Sequence, residues 1–294
     1  MLTHHWPKPE NPSRALVLGG GGFLGRAVRA ALAEAGILTV APTRSELDLA
    51  ADHAGERAAA LLQATDAVLM LAALTPDKGR GLDPFMQNMK MAAAACAAMQ
   101  KVRPAHVVYV SSDAVYPIDT ARITEETGAQ PADLYGVMHL AREVMAKTEV
   151  QAPVAVLRPT LVYGADDPHN SYGPNRLRRM ARKDARITLF GQGEEMRDHI
   201  LVDDVAELIR LTLCHRSSGT LNLATGRSIS YADLARKVAG LFEGQVDIAG
   251  TPRQSPVKHR HFDVVALHKA FPAFTFTPLE AGLAKAHREM LEQP

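Results

Sequence analysis

The stretch Ala15-Leu16-Val17-Leu18-Gly19-Gly20-Gly21-Gly22-Phe23-Leu24-Gly25 decides the fold of this chain. Four apolar residues make a short buried strand, and four glycines follow at once. Phe23, Leu24, Ala27, Val28, Ala31, Leu32 and Ala35 then recur at helical spacing until Gly36 ends the run. Glycines at 19, 22 and 25 meet three needs: a tight turn, backbone approach to a pyrophosphate, and close contact between helix and strand. A helix that begins here points its first N–H groups at that phosphate. Strand, glycine turn and helix in this order predict a dinucleotide-binding unit. The alternative is a flexible turn that binds nothing.

Outward from this unit the pattern repeats. Short apolar runs from Ile37 to Ala41, Ala67 to Leu71 and Val107 to Val110 read as strands. Helical patterns fill the intervals, from about Gly55 to Ala64 and Pro84 to Lys101. This alternation predicts an α/β fold, a Rossmann-type doubly wound parallel sheet covered on both faces. Farther on, a helix from Leu134 to Lys147 leads to a strand from Val154 to Leu157. A polar, Gly/Pro-rich stretch from Tyr163 to Asn175 follows and reads as a substrate-side loop. Ser230 and Asp233 give a weak capping-box signal before a helix running to about Leu241, and a last helix covers Leu279 to Leu291. Asp203-Asp204 reads as the cap of an apolar helix from Val205. The expected organisation is a dinucleotide-binding region over 14–165 and a smaller, mainly substrate-binding lobe over 166–294. A late strand from Thr220 to Leu223 makes the two interleave, with about 198–225 returning to the first region.

Composition narrows the partners. The 294 residues carry a net charge of +1, so no general field draws the chain to nucleic acid or to an anionic membrane. No run of about 20 apolar residues predicts a membrane span. The start, Met1 to Arg14, is polar and Pro-rich and lacks an apolar leader core. Cys96 and Cys214 stand far apart without metal-ligand spacing, and His199, His259 and His261 likewise lack partner spacing. A reducing, cytoplasmic setting is the expectation.

The end of the second strand speaks to the cofactor. An NAD site usually carries an acid there for the ribose 2′-hydroxyl. Here the sequence is Ala41-Pro42-Thr43-Arg44-Ser45, without one. Arg44 can clamp a 2′-phosphate bidentately and Ser45 can add a hydrogen bond, which favours NADP over NAD. Otherwise Arg44 is a solvated loop charge. Asp48 is either a partner for the adenine amino group or a plain turn residue.

At this point the chain resembles the extended short-chain dehydrogenase/reductases, the NAD-dependent epimerase/dehydratase family, over about 14–289. The resemblance rests on the glycine motif and on Ser111-Ser112-Asp113-Ala114-Val115-Tyr116 after a strand. It rests further on Tyr135-Gly136-Val137-Met138-His139 on a helix, on Leu157-Arg158-Pro159-Thr160-Leu161-Val162-Tyr163-Gly164, and on Gly191-Gln192-Gly193 followed by Arg197-Asp198. The branch it looks most like reduces or epimerises keto-deoxysugar nucleotides. The resemblance implies Tyr135 as general acid/base, Ser112 as the hydroxyl steering the substrate oxygen, and hydride exchange with nicotinamide. It adds Phe23, Leu24, Ala72, Tyr135 and His139 to the cofactor set of Gly19, Gly22, Gly25, Arg44, Ser45 and Asp48. For a sugar-nucleotide substrate it implies Ser112, Asp113, Asn175 or Arg176 in Tyr172-Gly173-Pro174-Asn175-Arg176, and Arg197 with Arg253 on the pyrophosphate. Arg158, beside a strand end, reads as structural. The family's dimer contact implies a homodimer through the helix from Pro84, which carries Met86, Met89 and Met91, and the helix of Tyr135.

The pattern breaks at one catalytic position. The family's lysine, four residues after the tyrosine, is His139 here. Ionising a tyrosine at pH 7 takes roughly 3 pKa units, about 4 kcal/mol, and the family is held to supply this with the lysine and the oxidised nicotinamide. A histidine is mostly neutral at pH 7. Three readings stand open: His139 orients the ribose by hydrogen bonding, the site is catalytically dead, or other groups relay the proton. Ala114 stands where a dehydratase has glutamate and one type of epimerase has cysteine, and Leu161 replaces a substrate-binding asparagine. Ketone reduction with NADPH, where the tyrosine starts protonated, survives these departures best. The alternatives are a sugar-nucleotide epimerase and a non-catalytic dinucleotide-binding or redox-sensing protein.

Overall fold

The computed structural model describes residues 1–168 and 173–292. Seven strands form the central sheet: β1 (Leu2–His4), β2 (Ala15–Leu18), β3 (Thr39–Val40), β4 (Ala67–Met70), β5 (His106–Val110), β7 (Val154–Pro159) and β12 (Ser217–Leu223). Among the described residues, four two-stranded ladders complete the set. They join β6 (Arg122–Ile123) to β15 (His261–Phe262), β8 (Leu161–Tyr163) to β11 (His199–Leu201), β9 (Arg186–Phe190) to β14 (Asp247–Thr251), and β10 (Met196–Arg197) to β13 (Ile229–Ser230). The helices are α1 (Phe23–Glu34), α2 (Ala54–Leu61), α3 (Leu82–Val102), α4 (Leu134–Glu149), α5 (Pro174–Asp184), α6 (Val202–Cys214), α7 (Tyr231–Ala239), α8 (Val265–Ala270) and α9 (Leu279–Glu292).

Across the sheet the order is β1-β12-β7-β5-β4-β2-β3. Every pair is parallel except β1 with β12. Residues of β2, β4 and β5 are buried throughout, as continuous apolar runs must be when helices cover both faces. On one face Val28 and Leu32 of α1 and Val205 and Ile209 of α6 pack on Val17, Leu69 and Val108. On the other, Ala58, Ala95, Met99 and Ala146 from α2, α3 and α4 pack on Leu16, Val68 and Tyr109. The edge strand β1 lies before the region expected from residue 14. His4 anchors it, with Nδ1 2.7 Å from Ser217 Oγ and Nε2 2.8 Å from the Ala270 carbonyl.

The topology positions a site. After β2 the chain builds β3 on one side and then crosses to β4 on the other. The crevice at the C-terminal ends of β2 and β4 is therefore a topological switch point, where open α/β sheets bind ligands. A third apolar cluster, from Leu177, Ile187, Leu189, Leu201, Tyr231, Leu234 and Leu283, packs α5, α7 and α9 with β9 and β11.

The helix expected from Val205 starts earlier. Helix α6 begins at Val202, not Val205, with Leu201 at its N-cap, so Asp203 and Asp204 lie inside its first turn. Asp204 accepts from Thr277 N and Oγ1 at 2.9 and 2.8 Å, and Asp203 pairs with Lys285 of α9 at 2.5 Å. These acids tie the end of the chain down rather than cap a helix. Among the described residues no helix is long and apolar enough to cross a membrane.

Candidate active site

The glycine turn is shaped as a close approach requires. Gly19 has φ +96°, and a Cβ there would lie 2.5 Å from Ala72 N. That contact fixes the turn against the end of β4, where Ala72 N donates to the Leu18 carbonyl at 2.8 Å. A Cβ on Gly25 would lie 2.2 Å from the Gly19 carbonyl oxygen, so only glycine lets α1 start this close to β2. Gly22 is the N-cap of α1 and offers no side-chain cap. The first N–H groups of the helix are thus left for another acceptor. Around Gly21 there is open space. The cradle fits a dinucleotide pyrophosphate.

At the far side of this crevice Arg44 is 75% exposed and, among the described residues, pairs only with Asp48, at 3.3 Å. Asp48 also accepts from Ala50 N at 2.9 Å, and this bond, then Arg44, holds its carboxyl below the usual range. The Ser45 hydroxyl lies 2.9 Å from Thr43 Oγ1. Phe23 and Leu24 open α1, and the Phe23 ring faces Gly164.

Tyr135 and Ser112 are brought together by a second close approach. Asp133 caps α4, its Oδ1 accepting from Gly136 N at 2.9 Å. A Cβ on Gly136 would lie 2.2 Å from the Ala114 carbonyl oxygen. The turn after β5 and the first turn of α4 therefore touch backbone to backbone, with Ser112 on one and Tyr135 on the other. Ser112 Oγ also accepts from Ala114 N at 3.1 Å. Burial and then the Asp113 carboxylate push the Tyr135 hydroxyl up to about 12, against the opposing pull of the Ser112 hydroxyl and Arg142. Asp113 is half-buried, and its carboxyl is raised by desolvation although Arg260 stands against it at 3.6 Å.

His139, in place of the expected lysine, is 2% exposed. Its Nδ1 lies 2.7 Å from the Tyr109 hydroxyl, and its ring meets Tyr135 edge-on at 4.7 Å between centroids. Burial and then Arg142 hold it neutral, well below the ordinary histidine range. Arg158 is structural in geometry: it forks onto Glu143 at 2.8 and 2.6 Å and reaches the Tyr116 hydroxyl at 2.9 Å. Ser111 Oγ donates to the same carboxylate at 2.6 Å.

On the substrate side, Arg197 and Arg253 do come together, but on an acid. Glu195 receives both, at 3.4 and 3.3 Å, and Arg253 also pairs with Glu194 at 3.0 Å. Arg197 is further committed to the Met196 carbonyl at 2.9 Å and to the Lys258 carbonyl. Asn175 is buried and bonded to Asp167 and Arg178. Arg176 lies 5.9 Å from the centre of the Phe190 ring. Tyr172, quoted with this segment, lies outside the described residues.

A family model, the NAD dependent epimerase/dehydratase family, matches residues 15–224. The chain belongs to that family. It is 32% identical over 151 residues to a dTDP-L-rhamnose 4-epimerase of Burkholderia thailandensis, covering 48% of this chain and 41% of that protein. It is 26% identical over 202 residues to an uncharacterized UDP-glucose epimerase of Bacillus subtilis, covering 65% and 61%. The chain thus matches about two-fifths to three-fifths of these relatives' lengths. Among solved structures, a GDP-L-fucose synthetase from Naegleria fowleri bound to NADP superposes with a TM-score of 0.86 at 18% identity, over 99% of this chain and 98% of that one. A UDP-N-acetylglucosamine 4-epimerase from Bacillus cereus gives 0.79 at 22% identity, over 94% and 99%. At these identities the likeness is one of fold, and the Rossmann-type reading stands.

Residues that motif reading missed are Tyr109, Arg142, Glu195 and Arg260. Only Arg142 had a signal. It lies seven residues after Tyr135 and three after His139, and so on their helix face.

Proposed function

We propose that this chain reduces a carbonyl of a sugar nucleotide, or of a related polar metabolite, with NADPH, and that Tyr135 is the general acid. The observation that carries the reading is geometric: the Gly136–Ala114 contact brings Ser112 and Tyr135 together beside a buried His139 that supplies no cation, and burial pushes the Tyr135 hydroxyl up to about 12. A reduction needs the proton on the tyrosine at the start, and this site keeps it there. Ser112 Oγ steers the substrate oxygen and donates to it while Tyr135 delivers its proton. The Gly19, Gly22 and Gly25 turn, with Phe23, Leu24 and Ala72, would hold the dinucleotide, Arg44 and Ser45 its 2′-phosphate, and Asp48 the adenine side. Bound NADPH supplies hydride. His139 would hold a ribose hydroxyl, and Arg176, Arg197 and Arg253 would face the substrate's nucleotide end, with Asp113 near its reacting end.

A second reading, epimerisation of a sugar nucleotide with NAD(P), is favoured by the activities named for the two curated relatives. Epimerisation requires Tyr135 to lose its proton first, which a raised phenol opposes. A homodimer through α3 and α4 is supported by the exposure of Leu82, Met86, Val137 and Val144.

The test is fluorescence titration with NADPH and with NADH, followed by NADPH consumption on a panel of keto-sugar nucleotides. Preferred binding of NADPH and turnover that Tyr135→Phe abolishes are expected. Tightly held NAD that does not exchange overturns the reduction in favour of epimerisation.

A further inference from the structure

Arg142 is a buried cation, 2% exposed, and no carboxylate lies within ion-pair distance of it among the described residues. Its Nη2 donates to the Ala72 carbonyl at 2.7 Å, at the strand end that touches the Gly19 turn. Its Nη1 faces Asn88 Oδ1 at 3.4 Å, and Asn88 in turn grips both backbone groups of Leu74, at 2.8 and 2.9 Å. The guanidinium carbon lies 5.2 Å from the centre of the Tyr109 ring. A charge placed so deep without a counter-ion is costly, and two of its neighbours, Ala72 and Tyr109, lead to the crevice. Tyr109 bonds His139, and His139 abuts Tyr135.

The hydrogen bonds also bear on the tautomer of His139. Tyr109 is fully buried, and its hydroxyl lies 2.7 Å from His139 Nδ1 with the Ser111 hydroxyl as a second neighbour. If the phenol donates to Nδ1, its own proton is satisfied and the histidine proton sits on Nε2. The reverse arrangement would turn the phenol proton to Ser111 Oγ, whose own proton goes to Glu143, and leave Nε2 as a bare acceptor. Nε2 is buried and has no partner among the described residues. An N–H left over at that depth calls for an acceptor from outside the chain.

We propose that Arg142 and His139 form one divided device: Arg142 supplies a fixed buried positive charge to Tyr135, and His139, held by Tyr109 as the neutral Nε2–H tautomer, donates a hydrogen bond to a hydroxyl of the bound dinucleotide. Arg142 is a positioning residue, acting through Tyr109 and His139. Its charge keeps a proton off His139 and eases the negative charge left on Tyr135 after proton transfer. The groups facing Tyr135 are Asp113, Ser112 and Asp133, besides Arg142. Those facing Tyr109 are Arg142, Glu143 and Tyr135.

The enzymatic half of this inference rests on the proposed reduction; the tautomer and charge half does not. The first experiment is therefore nitrogen NMR of the full chain, labelled with ¹⁵N-histidine, without ligand, between about pH 5 and 8. His139 is expected with a bare Nδ1, a protonated Nε2 and no titration in that range. Tyr109→Phe, which keeps the ring, is expected to release the tautomer preference, and Arg142→Met to bring His139 toward the titrating range. A proton on Nδ1 in the parent chain, or an unmoved His139 in both variants, overturns the proposal. If Arg142→Met does not fold, Arg142→Lys, which keeps the charge, must leave His139 untitrated, and Tyr109→Phe still reads the tautomer. In kinetics, Arg142→Met is expected to slow alcohol oxidation at pH 7 about tenfold more than carbonyl reduction, moving its pH profile up by about one unit. Arg142→Lys is expected to restore the profile. Equal losses in the two directions overturn the charge role. A chain that gives the expected NMR result but reduces no carbonyl refutes the proposed reaction alone.

Discussion

Installing the family's lysine in this chain is expected to damage it. His139→Lys would place an ammonium one helical turn from the buried Arg142, and residues three apart on a helix have Cβ atoms about 5–6 Å apart. Two unit charges near 6 Å, at an effective dielectric of about 20, repel by roughly 2.8 kcal/mol. The parent histidine avoids this because it is neutral, and it gives Tyr109 an acceptor at 2.7 Å that an ammonium cannot provide. A chain of this size loses roughly 2 °C of Tm per kcal/mol, so the single variant should melt about 5 °C lower. Arg142→Met should also destabilise, since it strands the Ala72 carbonyl and uncovers Asn88. The informative number is the coupling. In a double-mutant cycle of thermal melts, the double variant should be more stable than the sum of the singles by about 2–3 kcal/mol. A coupling below about 0.5 kcal/mol would mean that the two positions share no electrostatic field, and the reasoning about Arg142 would fall with it.

Other expectations follow from single contacts. Arg44→Ser should weaken NADPH binding about tenfold and leave NADH binding unchanged, as read by nucleotide fluorescence; equal effects on both would show that Arg44 is only a loop charge. Glu195→Gln removes the acid that Arg197 and Arg253 share, so calorimetric titration with a nucleoside diphosphate sugar should tighten about tenfold; unchanged binding would place the diphosphate elsewhere. Acid should destabilise the fold earlier than an average protein. His106, His139 and His199 are buried and neutral, the first lowered to about 4 and the last to about 3, chiefly by desolvation. In the unfolded chain they take protons near about pH 6.5, so their stabilisation is complete above that value and is lost as pH falls toward the folded values. At pH 5.5 each costs about 1.4 kcal/mol, roughly 4 kcal/mol in all. Asp113, Asp198 and Asp204, raised by burial, return some stability as pH falls, because they gain protons before the unfolded chain does. Equal Tm values at pH 7.5 and 5.5 would contradict this.

Much of the fold was legible because burial writes a simple pattern. The strands Ala15–Leu18, Ala67–Met70 and His106–Val110 are apolar throughout because both of their faces are covered, and the glycines between 19 and 25 stand where any Cβ would strike backbone. Strand β1 was not legible: Leu2, Thr3 and His4 have no apolar alternation, and the strand exists because His4 finds Ser217 and Ala270 more than two hundred residues away. The start of α6 was misplaced for a related reason. An Asp-Asp pair before an apolar run is a local capping signal, yet here both acids answer to Thr277 and Lys285, contacts that only the tertiary fold creates.

The site divides along the same line. Tyr135, Ser112 and the glycine turn could be named because each sits in a short local motif whose geometry is set by its immediate neighbours, as Gly136 against Ala114 illustrates. Charge could not be placed that way. The sequence offers Arg197 and Arg253 as a pyrophosphate grip, but Glu195 stands between them, and only the folded chain reveals that neighbour as their shared partner. The sequence also offers a missing cation at position 139, and the fold shows a buried guanidinium on the same helix face, aimed back at the end of β4. A motif records which residue occupies a place in the chain, whereas catalysis responds to the potential at an atom. Because a charge in a low-dielectric interior acts over several ångströms, that potential can be kept while the residue that provides it moves by one helical turn. On this argument, loss of a motif's charged residue is by itself weak ground for calling such a site dead; the test is whether another buried cation without a counter-ion lies on the same face.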